Sequence, residues 1–230
     1  MIKEEMLARL ANPIWAALNS AQANFAHSAG DMKFFSPEVA PFCAIPEDGM
    51  VLPATDLEYL PPQVYFLGAI PQVPPEWTMT DMSGVVQMVY DGAPVSQPAA
   101  EGVIPLDGDD PAMVQLTDIA FPGYFRPRTG TLGRYLGVYQ DGQLVALSGE
   151  RMYLGDCREV SAVCTHPDYR GRGYAGLLMQ HIMFGMQEQG QTPFLHVGAA
   201  NKKAQALYQA LGFKVTRELK HSRLVRPAGL

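Results

Sequence analysis

The sequence predicts a mixed α/β (α+β) chain, with helices and strands interleaved. Three observations carry that prediction. The second half of the chain switches repeatedly between a hydrophobic period of two and one near 3.6, in the order β-α-loop-β-β-β-α-β-α-β-β. A Gln140-Asp141-Gly142 turn joins two apolar runs, RYLGVY and LVALSGERMY, as a hairpin turn does. A loop rich in glycine and arginine, HPDYRGRGYAG, separates a strand-like run from a helix-like one.

The elements follow in order. Asn12 is placed to cap a helix, with Pro13 at its first position and IWAAL after it. MKFF, APFCAI, VYFLGAI and GVVQMVY read as extended pieces, separated by many prolines. His27, the lone histidine of this part, reads as a surface residue. Residues 90–111 are rich in Pro, Gly, Asp and Ala and surround a short strand at 103–106. That composition shift sets a boundary near residue 100, between a first region of residues 1 to about 95 and a second of 101–230. Beyond it, Asp109 or Asp110 can cap the helix PAMVQLTDIA. The loop FPGYFRPRTGT and the hairpin come next, then the strand EVSAVCT. The helix GLLMQHIMFGMQEQ is closed by Gly190, and PFLHV reads as a buried strand. KKAQALYQAL is a helix closed by Gly212, and FKVTREL and SRLVR are two final strands. No short-period repeat is evident.

Bulk properties exclude several classes. The 230 residues are 47% hydrophobic and 17% charged, as in an ordinary globular protein, and suffice for one large domain or two small ones. The net charge of -6 argues against nucleic acid as a partner, because such binding rests on cationic faces. Cys43, Cys157 and Cys164 are odd in number and widely spaced, so they imply neither a metal site nor a disulfide framework. MIKEEMLARL lacks the apolar core of a signal peptide, and no apolar run approaches the roughly 18 residues of a membrane span. These features predict a cytoplasmic protein with no membrane partner. A basic loop on an acidic chain points to a small anionic ligand.

Two parses of that loop compete. Gly171-Arg172-Gly173-Tyr174-Ala175-Gly176 satisfies the GxGxxG of dinucleotide sites. In such sites the first glycine follows its strand directly. Here five residues, 166–170, intervene after Thr165, and the preceding strands form a meander. NAD binding is therefore expected to be absent. The other parse is Arg170-x-x-Gly173-x-Ala175 at a helix start. Small residues let a ligand approach the backbone, and free N–H groups with the helix dipole hold a pyrophosphate. Arg170 and Arg172 add charge-assisted bonds.

This second parse resembles the coenzyme A signature of the GNAT superfamily of acyltransferases. Asn201-x-x-Ala204-x-x-Leu207-Tyr208-x-x-Leu211-Gly212-Phe213 is similar to that family's second motif. The resemblance covers residues 101–230. VCTHPDYRGRGYA and FLHV followed by N..A..LY..LGF resemble the glycine N-acyltransferase-like branch. The resemblance implies a central mixed, mostly antiparallel sheet flanked by helices. Residues 1 to about 95 are compatible with a degenerate, partial copy of the same fold. It also implies acetyl-CoA or coenzyme A as co-substrate, no metal, and direct transfer of the acyl group to a primary amine of a small molecule or amino acid. The competing class is a non-catalytic acyl-CoA-binding or regulatory module on the same fold.

In that family two strands splay and the pantetheine fills the gap like an added strand. Here they would be residues 159–165 and 193–197. Val163, Cys164 and Thr165 would offer backbone groups. Arg170, Gly171, Arg172, Gly173, Tyr174, Ala175 and Gly176 would hold the pyrophosphate, with Asn201 nearby. Tyr208, seven residues after Asn201, is the candidate acid for the departing thiolate, or a helix tyrosine packed in the core. Glu159 is one candidate base, or a strand-end carboxylate in water. It shares a strand face with Ser161, Val163 and Thr165. His196 is the other, or a hydrogen-bonded histidine inside the sheet. Either base can act through a water, and the absence of any dedicated base stays open. Glu150 ranks third, and Cys164 reads as a small buried thiol rather than a nucleophile. Phe121, Tyr124, Arg126 and Arg128, on the loop at 121–131, are candidates for binding an acceptor carboxylate. The first region is free to complete the acceptor pocket, cover a sheet edge or form a homodimer interface.

Overall fold

The computed structural model describes residues 3–99 and 102–227. The expected boundary near residue 100 falls on positions 100 and 101, outside the described residues. The chain opens with two short helices, α1 (Glu4–Arg9) and α2 (Pro13–Leu18). Pro13 starts α2 as expected, but the Asn12 side chain does not cap it. Its amide donates instead to the Ile45 carbonyl at 2.7 Å, tying the helix start to the chain beyond. The strands β1 (His27–Ala29), β2 (Met32–Phe34) and β3 (Cys43–Ala44) form a small antiparallel sheet. His27 is exposed and stacks on Phe34. A single helical turn, α3 (Ala54–Leu57), precedes β4 (Gln63–Leu67), β5 (Thr78–Asp81) and β6 (Val85–Tyr90).

Beyond residue 101 come β7 (Ile104–Leu106), α4 (Pro111–Ala120), β8 (Tyr135–Gln140), β9 (Gln143–Tyr153) and β10 (Cys157–Thr165). They are followed by α5 (Tyr174–Glu188), β11 (Thr192–Gly198), α6 (Lys202–Ala210), β12 (Phe213–Leu219) and β13 (His221–Val225). Asp110 caps α4 by accepting from the Ala112 N–H at 2.8 Å. Asp141 and Gly142, at φ 51° and 79°, both adopt the left-handed conformation that a two-residue hairpin turn requires.

The fold is the expected mixed α/β arrangement. Seven strands form one sheet in the order β12-β6-β11-β10-β9-β8-β7. All its neighbours are antiparallel except β10 and β11. Helix α5 covers one face, where Leu178, Ile182 and Met186 pack with Val145, Val160 and Leu195. On the other face Leu10, Ile14 and Leu18 pack with Val89, Met152 and Phe194. Met113 and Leu116 of α4 meet Tyr135 and Leu147. With helices on both sides, β9 is buried over most of its length, which explains why it reads as a nearly continuous apolar run.

The regions on either side of residue 100 exchange strands. β6, from the first, lies between β11 and β12. β13, from the second, lies between β4 and β5. Each inserted strand satisfies the backbone groups of two neighbours that would otherwise be bare edges. A chain beginning at residue 96 would lack β6 and both partners of β13. It is expected to show no cooperative thermal transition by circular dichroism. A cooperative transition in that fragment would contradict the exchange.

Candidate active site

The parallel ladder between β10 and β11 is three pairs long: Cys157 with Thr192, Arg158 with Pro193 and Glu159 with Phe194. From there the strands part. β11 continues against β6 as far as Gly198, and β10 continues against β9 as far as Thr165. The β11-facing backbone of residues 160–165 is left without a strand partner. A bulge assists the divergence. The β9 register shifts between Ser161 and Cys164, and Ala162 between them has φ 55°. An extra residue in one strand increases local twist and bends it away.

The same bulge corrects one expectation. Glu159, Ser161, Val163 and Thr165 do not share a face, because the alternation reverses at Ala162. Val163 packs with Val160 in the cluster beneath α5, while Cys164 joins the cluster beneath α4. Burial pushes the Cys164 thiol up to about 12, so it is not a thiolate near neutrality.

The loop at the end of β10 fits an anionic group. Gly171 and Gly173 have φ of 80° and 81°, and a side chain added at either, or at Gly176, would point into open space. Gly173 occupies the N-cap of α5 and no side chain caps that helix. The first N–H groups of a 15-residue helix therefore face outward with the positive end of its dipole. Arg172 lies over the Tyr169 ring at 4.8 Å, and Arg170 Nε reaches back to the Thr165 carbonyl at 3.4 Å. Among the described residues neither guanidinium pairs with a carboxylate. Tyr174 and Ala175 form the first turn. Asn201, expected beside a ligand, caps α6 by accepting from the Ala204 N–H at 3.1 Å.

Tyr208 projects from α6 into the cluster beneath α5. Burial pushes its hydroxyl up to about 12, so it keeps its proton at neutral pH. No group among the described residues hydrogen-bonds that hydroxyl.

Glu159 and His196 meet at the closed end of the gap. The carboxylate is buried and receives Arg151 Nε at 2.8 Å and Arg151 Nη2 at 2.7 Å, a bidentate fork. His196 Nδ1 lies 2.8 Å from Oε1, and the Met152 N–H approaches Oε2 at 3.4 Å. On its other side, His196 Nε2 lies 3.0 Å from Gln87 Nε2, which also donates to the Leu10 carbonyl at 2.8 Å. The only consistent assignment has His196 donating from Nδ1 to the carboxylate and accepting at Nε2 from Gln87. Burial pushes Glu159 up, but the Arg151 charge and hydrogen bonds, with His196, override it and hold the carboxyl at about 2. Glu159 is thus not the strand-end carboxylate in water, and His196 is hydrogen-bonded inside the sheet. Glu150 is also buried, paired with Arg158 at 2.7 Å.

The acceptor-side loop divides. Phe121 packs beneath α4, Arg126 is half-buried and Arg128 is exposed. The Arg128 N–H donates to the Glu38 carbonyl at 2.8 Å, so the loop backbone is docked on the first region. Tyr124 alone turns toward the site. Its ring lies 4.8 Å from Tyr65 and 6.1 Å from His221, with Arg151 and Arg223 close enough to act on its hydroxyl.

Comparison with known proteins decides the family. A GNAT-family structure from Novosphingobium aromaticivorans is 30% identical, with a TM-score of 0.80 over 94% of this chain and 98% of that one. The chain belongs to the GNAT family. A family model described as FR47-like protein matches residues 135–222. A GCN5-related N-acetyltransferase from Kribbella flavida, 16% identical with a TM-score of 0.54 over 96% of each chain, shares the fold. The [Ribosomal protein bS18]-alanine N-acetyltransferase of Escherichia coli is 31% identical over 83 residues. That match takes in 35% of this chain, which spans about half, 55%, of the relative.

Against this GNAT frame, sequence reasoning missed Arg151, Gln87, Tyr65 and His221. Arg151 carried a signal: Glu150-Arg151 is a charged pair inside an apolar strand, and such charges are buried only when paired. The others reach the site through the strand exchange. Among the described residues no helix is long and apolar enough to cross a membrane, and no His, Cys, Asp and Glu group could hold a metal.

Removing Arg151 would leave a buried carboxylate unpaired, so Arg151→Ala is expected to cost about 3–5 kcal/mol. The folded-state value of Glu159 lies below its ordinary 4.5. Its stabilisation is therefore complete above about pH 4.5 and is lost as pH falls toward 2. Urea midpoints of the wild type and Glu159→Gln should differ most at pH 6 and converge only as pH falls to about 2. A constant difference contradicts the ion-pair account.

Proposed function

We propose that this GNAT protein is an acetyl-CoA-dependent N-acyltransferase. It moves an acyl group to a primary amine of a small molecule or amino acid by direct attack in a ternary complex. One observation carries the reading: β10 and β11 part after three residue pairs. The opening is flanked by the uncapped N terminus of α5 and by Tyr208. Acyl transfer needs a held thioester, a deprotonated amine, a stabilised oxyanion and a protonated thiolate. The unpartnered backbone at Val163 and Cys164 supplies hydrogen-bonding groups for the first and third. The loop from Arg170 to Gly176 takes the pyrophosphate. Tyr208, protonated at neutral pH, supplies the thiolate's proton.

The resemblance of VCTHPDYRGRGYA to the glycine N-acyltransferase-like branch supports a small carboxylate-bearing acceptor. The Escherichia coli relative is named for acetylating an alanine of a ribosomal protein, so peptide amines form a second acceptor class for a screen. Glu159 and His196 have their polar atoms engaged, and this favours a supporting role at the apex of the gap. The same observation favours one alternative, a non-catalytic acyl-CoA-binding module, which would bind but not turn over.

Thermal unfolding with acetyl-CoA, CoA, NAD and ATP in parallel tests the ligand. A ligand at 100 times its dissociation constant adds about 2.7 kcal/mol, which raises the midpoint by roughly 5–10 °C in a chain of this size. That rise is expected with acetyl-CoA and CoA and not with NAD. It should shrink in the Arg170→Ala/Arg172→Ala double variant. A rise with NAD alone would overturn the reading.

A further inference from the structure

If the protein transfers acyl groups as proposed above, the acceptor ammonium has to lose a proton before it attacks. Glu159 accepts from Arg151, His196 and the Met152 backbone. His196 has both ring nitrogens in use, and Glu150 is held by Arg158. The next titratable side chain at this place is His221. We infer that His221 is the proton acceptor for the incoming amine, with the rings of Tyr65 and Tyr124 forming the wall against which that amine is held.

The placement follows from the strand exchange. His221 is the first residue of β13, where the chain leaves the seven-stranded sheet and enters the β4–β13–β5 sheet. It therefore stands at the seam between the two regions. Its ring stacks on Tyr65 of β4 at 5.6 Å and faces Tyr124 of the loop at 6.1 Å. Arg151 of β9 and His196 of β11, the two partners of Glu159, are both close enough to act on its charge. The residue is half-buried. It thus lies beside the closed end of the gap on the face that carries Glu159, opposite α5.

The surroundings keep it in the accepting state. Burial lowers its proton affinity, the Ser83 backbone opposes this in part, and the Arg151 charge lowers it further. Burial keeps the proton on Tyr124, whose hydroxyl is pushed up to about 12, and Arg223 on the same strand as His221 adds a further positive charge near it. The net direction is down, so His221 is neutral near pH 7 with a lone pair to offer.

The step balances as follows. His221 takes one proton from the ammonium and later releases it to solvent. The amine nitrogen forms the C–N bond as the C–S bond breaks, and the electron pair goes to sulfur. The Tyr208 hydroxyl protonates that sulfur and is restored by the second proton lost from nitrogen. One proton is released per turnover.

The test uses the full-length protein with acetyl-CoA and four amines: glycine, phenylalanine, methylamine and hydroxylamine. Hydroxylamine is uncharged near neutrality and needs no base. His221→Gln is expected to lower kcat/KM for the protonated amines by roughly 10²–10⁴-fold near neutrality and to move the acidic limb of the pH profile from below 6.5 up to the titration of each amine itself. It should leave the hydroxylamine rate and the thermal shift with acetyl-CoA near wild type. Equal losses with all four amines, or an acidic limb that stays where it is in the wild type, would overturn the assignment. A wild type that binds acetyl-CoA yet acetylates none of them would overturn the transfer reading itself. Should the variant not fold, the imidazole resonances of the wild-type protein decide. His221 should titrate below its ordinary 6.5. A ring that stays charged above pH 7, or does not titrate, contradicts the role.

Discussion

A carboxylate buried at the point where the sheet divides constrains everything around it. Removing Glu159 from water costs several kcal/mol unless its lone pairs are filled. Arg151 fills two of them from β9 and His196 a third from β11. The chain continues through Gln87 of β6 to the Leu10 carbonyl at the end of α1. One hydrogen-bonded line thus crosses four strands and ends on the first helices. Such a line is stable only if every member is present, and this makes the first region necessary to the geometry of the second.

The exchange of β6 and β13 serves the same constraint. β6 gives β11 an antiparallel partner from Phe194 to Gly198, so beyond Phe194 β11 does not depend on β10. That frees the two strands to part after Glu159 without leaving β11 as a bare edge. The cost falls on the β11-facing backbone of residues 160–165, a stretch inside the sheet left ready for an outside hydrogen-bonding partner. A site of this kind is pre-formed because its walls are anchored elsewhere.

Much of the second half was legible. Asp110 capping α4, the Asp141-Gly142 turn and Gly190 past α5 each obey local rules that tertiary contacts did not override. The loop between β10 and α5 was legible for the same reason: glycines at positive φ and a bare helix start are written in adjacent residues. Asn12 was misread because a tertiary acceptor, the Ile45 carbonyl, outcompeted the helix for its amide. β1 and β5, at three and four residues, are too short to show alternation. The face assignment after Ala162 failed because a bulge reverses parity and leaves no local signature. Tyr65, Gln87 and His221 were invisible in principle, since nothing near them in the chain indicates that their strands are exchanged.

The central claim is that the unpaired backbone of β10 receives the pantetheine arm as a strand would. Amide hydrogen exchange of residues 160–165, measured with and without CoA, tests it most directly. The account predicts that these amides and those of residues 171–176 slow together on binding, while the amides of β13 are unchanged. Binding that protects the loop but leaves residues 160–165 exchanging as before would contradict it.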